Sequence, residues 1–185
     1  MQRRSFLRSA AAVLPAVGIR DFALGQAASA PARGAGEVHL VEAGQDRLGE
    51  THSLGFSTIL FKVLTRETGS GLFVIEHKGL GHGGPPVHVH PHQDEWFYVV
   101  EGEVLIQVAG ERKTLRAGES VLGPRGVPHG FMGVGEKSAH MIIAFTPAGR
   151  MEEFFREAAV PNGPAMDARL FAKYEMEYVG PPLVA

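Results

Sequence analysis

Short runs of β-branched and aromatic residues, each closed by a glycine- or proline-bearing turn, succeed one another so densely that little room remains for helical packing. The strand-like runs fall at 38–41, 57–64, 72–76, 87–90, 95–100, 104–108, 112–115, 120–122 and 140–145. Turn signals separate them: Gly69-Ser70-Gly71, the Gly- and Pro-rich stretch 81–86, Glu101-Gly102, Ala109-Gly110, Ala117-Gly118 and 133–135. The 24 glycines and 12 prolines of the chain lie largely between these runs. Many short strands at close spacing predict an all-β sandwich or barrel. A chain of 185 residues, 44% of them hydrophobic, suits one core.

Beyond residue 145 the period changes. Met151, Phe154, Phe155 and Ala158 stand at i, i+3, i+4 and i+7, one face of a helix, with Thr146-Pro147 as cap and first-turn proline. A weaker helical pattern spans 164–174, with Met166, Leu170 and Tyr174 four apart. These faces read as packing surfaces against the barrel or a partner subunit, and no cofactor is expected there.

Residues 1–30 have a different character. Arg3-Arg4-Ser5-Phe6-Leu7-Arg8 precedes a modestly apolar middle and a small-residue end, Ala27-Ala28-Ser29-Ala30, which resembles a twin-arginine export signal. The apolar middle is too short for a permanent membrane anchor. The expected organisation is therefore an export signal at 1–30, a flexible leader at 31–37 and one domain at 38–185. The mature protein is expected to be periplasmic or secreted, with no membrane association after cleavage. Loss of Arg3, Arg4, Arg8 and Arg20 against Asp21 would lower the formal charge of −2 by three, to −5. Such a chain has no basic stripe for nucleic acid. It also has no cysteine, which removes disulfides, thiolate zinc sites and thiol nucleophiles together.

The chemistry-bearing stretch is His88-Val89-His90-Pro91-His92-Gln93-Asp94-Glu95-Trp96-Phe97-Tyr98-Val99-Val100-Glu101-Gly102. Alternation along a strand sends His88 and His90 to one face and Val87 and Val89 to the other. A turn at 91–94 then lets Glu95 begin the next strand beside inward Phe97 and Val99, with Trp96, Tyr98 and Val100 outward. Two imidazoles and a carboxylate suit a borderline first-row metal. A second segment, from Gly118 through Pro124 and Gly126 to His129, adds a histidine after a strand and a Pro-Arg-Gly turn.

Together the two segments resemble the cupin superfamily. His88, His90, Glu95 and Gly102 match its first motif; Gly118, Pro124, Gly126 and His129 match its second. Two positions depart from the pattern: His82 stands where a glycine is expected before the first histidine, and Gly133 where an asparagine often follows the last. The resemblance covers roughly 71–147, and the C-terminal helix and tail look like those of small bacterial cupins similar to quercetin dioxygenases. It implies a double-stranded β-helix, or jelly-roll barrel, with one or two short C-terminal helices. It also implies one divalent transition metal (Fe, Mn, Ni, Cu or Zn) on His88, His90, Glu95 and His129. The implied partners are a small-molecule substrate and a second copy in a homodimer. The implied activity is a dioxygenase acting on a phenolic or enol-bearing molecule, with Glu95 as ligand or proton acceptor and Phe97, Val99, Phe131 and Met132 as an apolar pocket. A non-catalytic metal- or ligand-binding cupin and a metal-dependent isomerase or decarboxylase are the alternatives. His39, His52, His77 and His140 read as structural or surface residues, and His82 and His92 as rim residues.

Overall fold

The computed structural model describes residues 40–185. The export signal, the leader, His39 and the first half of the run at 38–41 lie outside the described residues. Eleven strands follow within them: β1 (His52–Ser53), β2 (Thr58–Val63), β3 (Phe73–Leu80), β4 (Pro86–Val89), β5 (Asp94–Glu101), β6 (Glu103–Val108), β7 (Glu111–Arg116), β8 (Ser120–Gly123), β9 (His129–Val134), β10 (Ala139–Thr146) and β11 (Glu177–Pro182). Two helices, α1 (Met151–Ala158) and α2 (Ala168–Lys173), lie between β10 and β11. One antiparallel sheet runs β1-β2-β3-β10-β5-β8 and the other β11-β4-β9-β6-β7. This is the expected all-β jelly roll with short C-terminal helices.

The core forms where the inner faces of the sheets meet. β10 alternates buried and half-exposed residues along most of its length, so Met141, Ile143 and Phe145 point inward. β5 does the same with Glu95, Phe97 and Val99, while Trp96 and Val100 are exposed, as their parity requires. Phe61, Phe73, Phe97 and Phe145 are all 0–1% exposed; the Phe73 ring meets those of Phe61 and Phe145, and Phe97 meets Phe131.

Three strands depart from the sequence reading. β9 carries Gly130 and Gly133 and is buried on both faces of its first five residues, so it lacks the alternation that marks a half-buried strand. β11 contains Pro181 and Pro182, which is tolerated because it is the edge of its sheet. β1 is only two residues long. Leu40 and Val41, by contrast, are in no strand.

The helix start also differs from expectation. Thr146 is still in β10, paired with Asp94, and α1 begins at Met151 after Arg150, which offers no side-chain cap. The expected face of α1 is the one buried: Met151, Phe154, Phe155 and Ala158. α2 is capped by Asp167, whose carboxylate accepts from the Arg169 and Leu170 amides. Among the described residues no helix is long and apolar enough to cross a membrane.

Candidate metal centre

His88 lies in β4 and His129 opens β9, directly opposite each other in register. His90 follows β4 by one residue, and Glu95 reaches in from β5 in the other sheet. All four side chains are buried, and one ligand atom from each lies within 4.8 Å of the others. Donors on a common ion at about 2.0–2.2 Å stand no more than about 4.4 Å apart. The group therefore needs to contract by only a few tenths of an ångström.

Backbone carbonyls fix two of the imidazoles. His88 Nδ1 donates to Pro86 O at 2.8 Å and His129 Nδ1 donates to Val127 O at 2.9 Å. A carbonyl can only accept, so the proton of each neutral ring sits on Nδ1 and leaves a bare Nε2 for the centre. His88 Nε2 lies 3.2 Å from His90 Nε2. Glu95 Oε2 is 2.8 Å from His129 Nε2, 3.1 Å from His90 Nε2 and 3.9 Å from His88 Nε2. Lone pairs and a carboxylate packed this closely, away from water, call for a cation between them. A divalent transition metal fits the donor set, with nitrogen and oxygen ligands and no thiolate.

Electrostatics without a metal follow the same logic. Burial, reinforced by His129 and His90, pushes His88 down to about 3. Burial also pulls His129 down, but the hydrogen bond and charge of Glu95 outweigh it and raise the group. Glu95 is disfavoured as an anion by burial, yet the His129 and His90 contacts hold it well below the ordinary carboxylate range.

The turn between β8 and β9 locks the two motif segments together. Arg125 donates to Asp94 through its amide (2.9 Å) and its guanidinium (2.7 Å), and the Gly126 amide donates to His90 O at 2.9 Å. Gly123 clears the way for His129: a Cβ there would lie 3.1 Å from His129 Nδ1. Gly133, the departure from the usual asparagine, has a reason too. A Cβ at this position would meet Gly81 O at 2.4 Å, so the backbone approach admits only glycine.

A cavity of about 30 Å³ adjoins His88, His90 and Glu95. Of the expected pocket residues Phe131 lines it, whereas Phe97 and Val99 are core and Met132 belongs to a small separate cluster with Val87 and Leu183. The correction follows from topology, because the far wall comes from the C-terminal extension. Met151, Phe154 and Phe155 of α1, Phe171 of α2, and Met166 and Met176 beside α2 all face the cavity. Phe171 stacks on His88, with centroids 5.3 Å apart and planes at 14°. The helical faces pack on the barrel as expected and, in doing so, roof the site.

The remaining histidines divide. His52 stacks on Phe61, His140 lies against Glu76, and exposed His82 donates to Gly135 O at 2.8 Å. His92 is exposed on the turn before β5. His77, read from sequence as structural or surface, is buried and hydrogen-bonded to Ser57, and it also lines the cavity. Only its place in a strand of mixed character could have hinted at this.

Residues 77–145 match the family model described as Cupin domain. Among curated proteins the chain is similar to Polyketide synthase CurC of Streptomyces cyaneus, 37% identical over 60 residues, covering 32% of this chain and 39% of that protein. It is also similar to Oxalate oxidase 2 of Hordeum vulgare, 37% identical over 71 residues, covering 34% of this chain and 32% of that one. The match thus spans about a third of the length of these relatives. Among solved structures, an RmlC-like cupin from Shewanella frigidimarina aligns with a TM-score of 0.51 and 26% identity, over 60% of this chain and 93% of that one. Fold, motif order and converging donors all agree with the match of residues 77–145 to the Cupin domain.

Proposed function

We propose that the protein is a metal-dependent oxidoreductase that uses dioxygen on a small enol or phenol, with the ion held by His88, His90, Glu95 and His129. The observation carrying this reading is that four donors converge and three of them, His88, His90 and Glu95, line a cavity whose other walls are almost wholly apolar. The oxalate oxidases among the relatives support metal-dependent oxidation in a barrel of this kind, and their substrate is not carried over from a match of this length. When bound, a redox-active first-row metal, which excludes zinc, would supply Lewis acidity and one-electron chemistry toward dioxygen. The side chains do the rest. Glu95, anionic among imidazoles, accepts the proton that an entering hydroxyl gives up. The phenylalanine walls exclude water and hold an unsaturated substrate by its apolar surface. Oxidative cleavage of an enol C=C bond takes one dioxygen and places both oxygen atoms in the products, so no external reductant is required.

The test has two parts. Elemental analysis is expected to find about one divalent metal per chain, lost in His88→Ala and His129→Ala and kept in His140→Ala. Full metal in His88→Ala sinks the ligand assignment. Oxygen-uptake and ¹⁸O₂ labelling on a panel of enols and catechols then tests the chemistry, with both labelled atoms expected in product. Metal binding without turnover on any of them makes the protein a binder instead.

The same reading includes export and dimerisation. Residues 1–30 direct the folded chain to the periplasm, and the outward Trp96, Tyr98 and Leu122 form a homodimer surface. Leu122 pairs with Trp96, which stacks on Tyr98 at 5.7 Å, so the three make one patch on β5 and β8.

A further inference from the structure

His77 is the polar group that the metal centre does not use. It lies in β3, 1% exposed, paired with Ile59 on one side and Met141 on the other. Its ring meets Phe131 and Phe155 edge-on, at 5.4 Å and 6.4 Å with interplanar angles of 84° and 79°. Nδ1 lies 2.9 Å from Ser57 Oγ, itself 5% exposed. Nε2 has no partner among the described residues, although the ring lines the cavity.

The Ser57 contact decides which nitrogen carries the proton. Among the described residues the Ser57 hydroxyl has no acceptor other than His77 Nδ1. If Nδ1 were protonated, the hydroxyl would face another donor and its own hydrogen would be buried unpaired. The satisfied arrangement has Ser57 Oγ–H donating to a bare Nδ1, which puts the ring proton on Nε2. An apolar residue in this place would fill the space with no unpaired group. The imidazole instead lines a cavity of about 30 Å³, more room than a single water requires, and Nε2 is its unpartnered atom.

We infer that His77 is a specificity-determining residue, whose Nε2–H donates to a carbonyl oxygen on a ligand that meets the metal centre through a second, anionic oxygen. The ligand class is a compact enolate or carboxylate with a neutral carbonyl further along an apolar chain. Phe131, Ile143, Phe145 and Phe155 face its middle. A neutral acceptor is specified because His77 has no carboxylate partner and burial pushes it down to about 3, so it brings a dipole and no charge. The inference deepens the proposed function and rests on it for the metal end alone.

The test uses zinc-loaded full-length protein and two probes that differ by one carbonyl, 4-oxopentanoate and pentanoate. By calorimetry wild type is expected to prefer the ketone by roughly five- to tenfold, the worth of one buried hydrogen bond. His77→Phe is expected to erase the preference while keeping zinc content and pentanoate affinity; His77→Gln, which retains a donor, keeps part of it and guards against a folding defect. An equal preference in wild type and His77→Phe, or none in wild type, overturns the inference. Imidazole ¹⁵N spectra give an answer that does not depend on metal: the Nε2–H tautomer is expected in free protein, and Nδ1–H defeats the donor role. Should wild type bind no zinc, the metal reading fails, while the tautomer in that same sample still decides the donor role of His77.

Discussion

At the scale of single residues, the site depends on atoms that ligate nothing. Gly123→Ala would set a Cβ 3.1 Å from His129 Nδ1 and 3.4 Å from the Phe97 ring, pressing the imidazole off its Val127 carbonyl. Metal affinity is expected to fall roughly 10- to 100-fold, the usual cost of disturbing a ligand's supporting contact, with little change in Tm. Competition with a chromogenic chelator measures it. His77 yields a pH prediction. Folded, it resists protonation until about pH 3, whereas the unfolded chain takes the proton near its ordinary value of 6.5. Between these values the unfolded state binds more protons, so stability falls as pH drops below 6.5. Thermal melts of metal-free protein at pH 7.5 and 5.5 should therefore show a smaller acid loss in His77→Phe than in wild type. An undiminished loss would place the acid sensitivity elsewhere. The four donors were legible in sequence because strand alternation and the two motif spacings are local. His77 was not, because nothing near it in sequence announces Ser57 or the cavity.

At the scale of elements, the strands with clean alternation were readable and those with two buried faces or an edge position were not. β5 and β10 advertise their inner residues, whereas β9 hides behind two glycines, of which Gly133 is forced by close backbone approach, and β11 hides behind its prolines. The apolar face of α1 was equally plain, but its role as a roof over the centre was not, since periodicity reveals that a face is buried and not what it covers. Asp167 gives this roof a test. Its carboxylate accepts from two amides at 3.0 and 2.9 Å and starts the helix that carries Phe171 over His88. Asp167→Ala is expected to cost about 0.5–2 kcal/mol in denaturant melts. Amide exchange should quicken in α2 and leave β5 and β10 unchanged. Uniform quickening across the barrel would mean that the roof and barrel unfold together.

At the scale of the whole molecule, two proposals lie at the surface and the first segment. Sedimentation at micromolar concentration is expected to give a dimer for wild type and a monomer for Trp96→Lys, since Trp96 is 38% exposed and Leu122 beside it 48%. Cell fractionation should find a processed chain lacking residues 1–30 in the periplasm, and replacing Arg3 and Arg4 with lysines should strand it in the cytoplasm. Sheet order carries one more consequence. β4, which holds His88, has β9 on one side and β11 on the other, with Tyr178 opposite His88. The strand that completes this neighbourhood is thus translated long after the histidine it supports. A chain arrested before residue 177 would hold all four donors and every roofing side chain while the β4 edge stays open, so the last segment made is the one that closes the sheet beside His88.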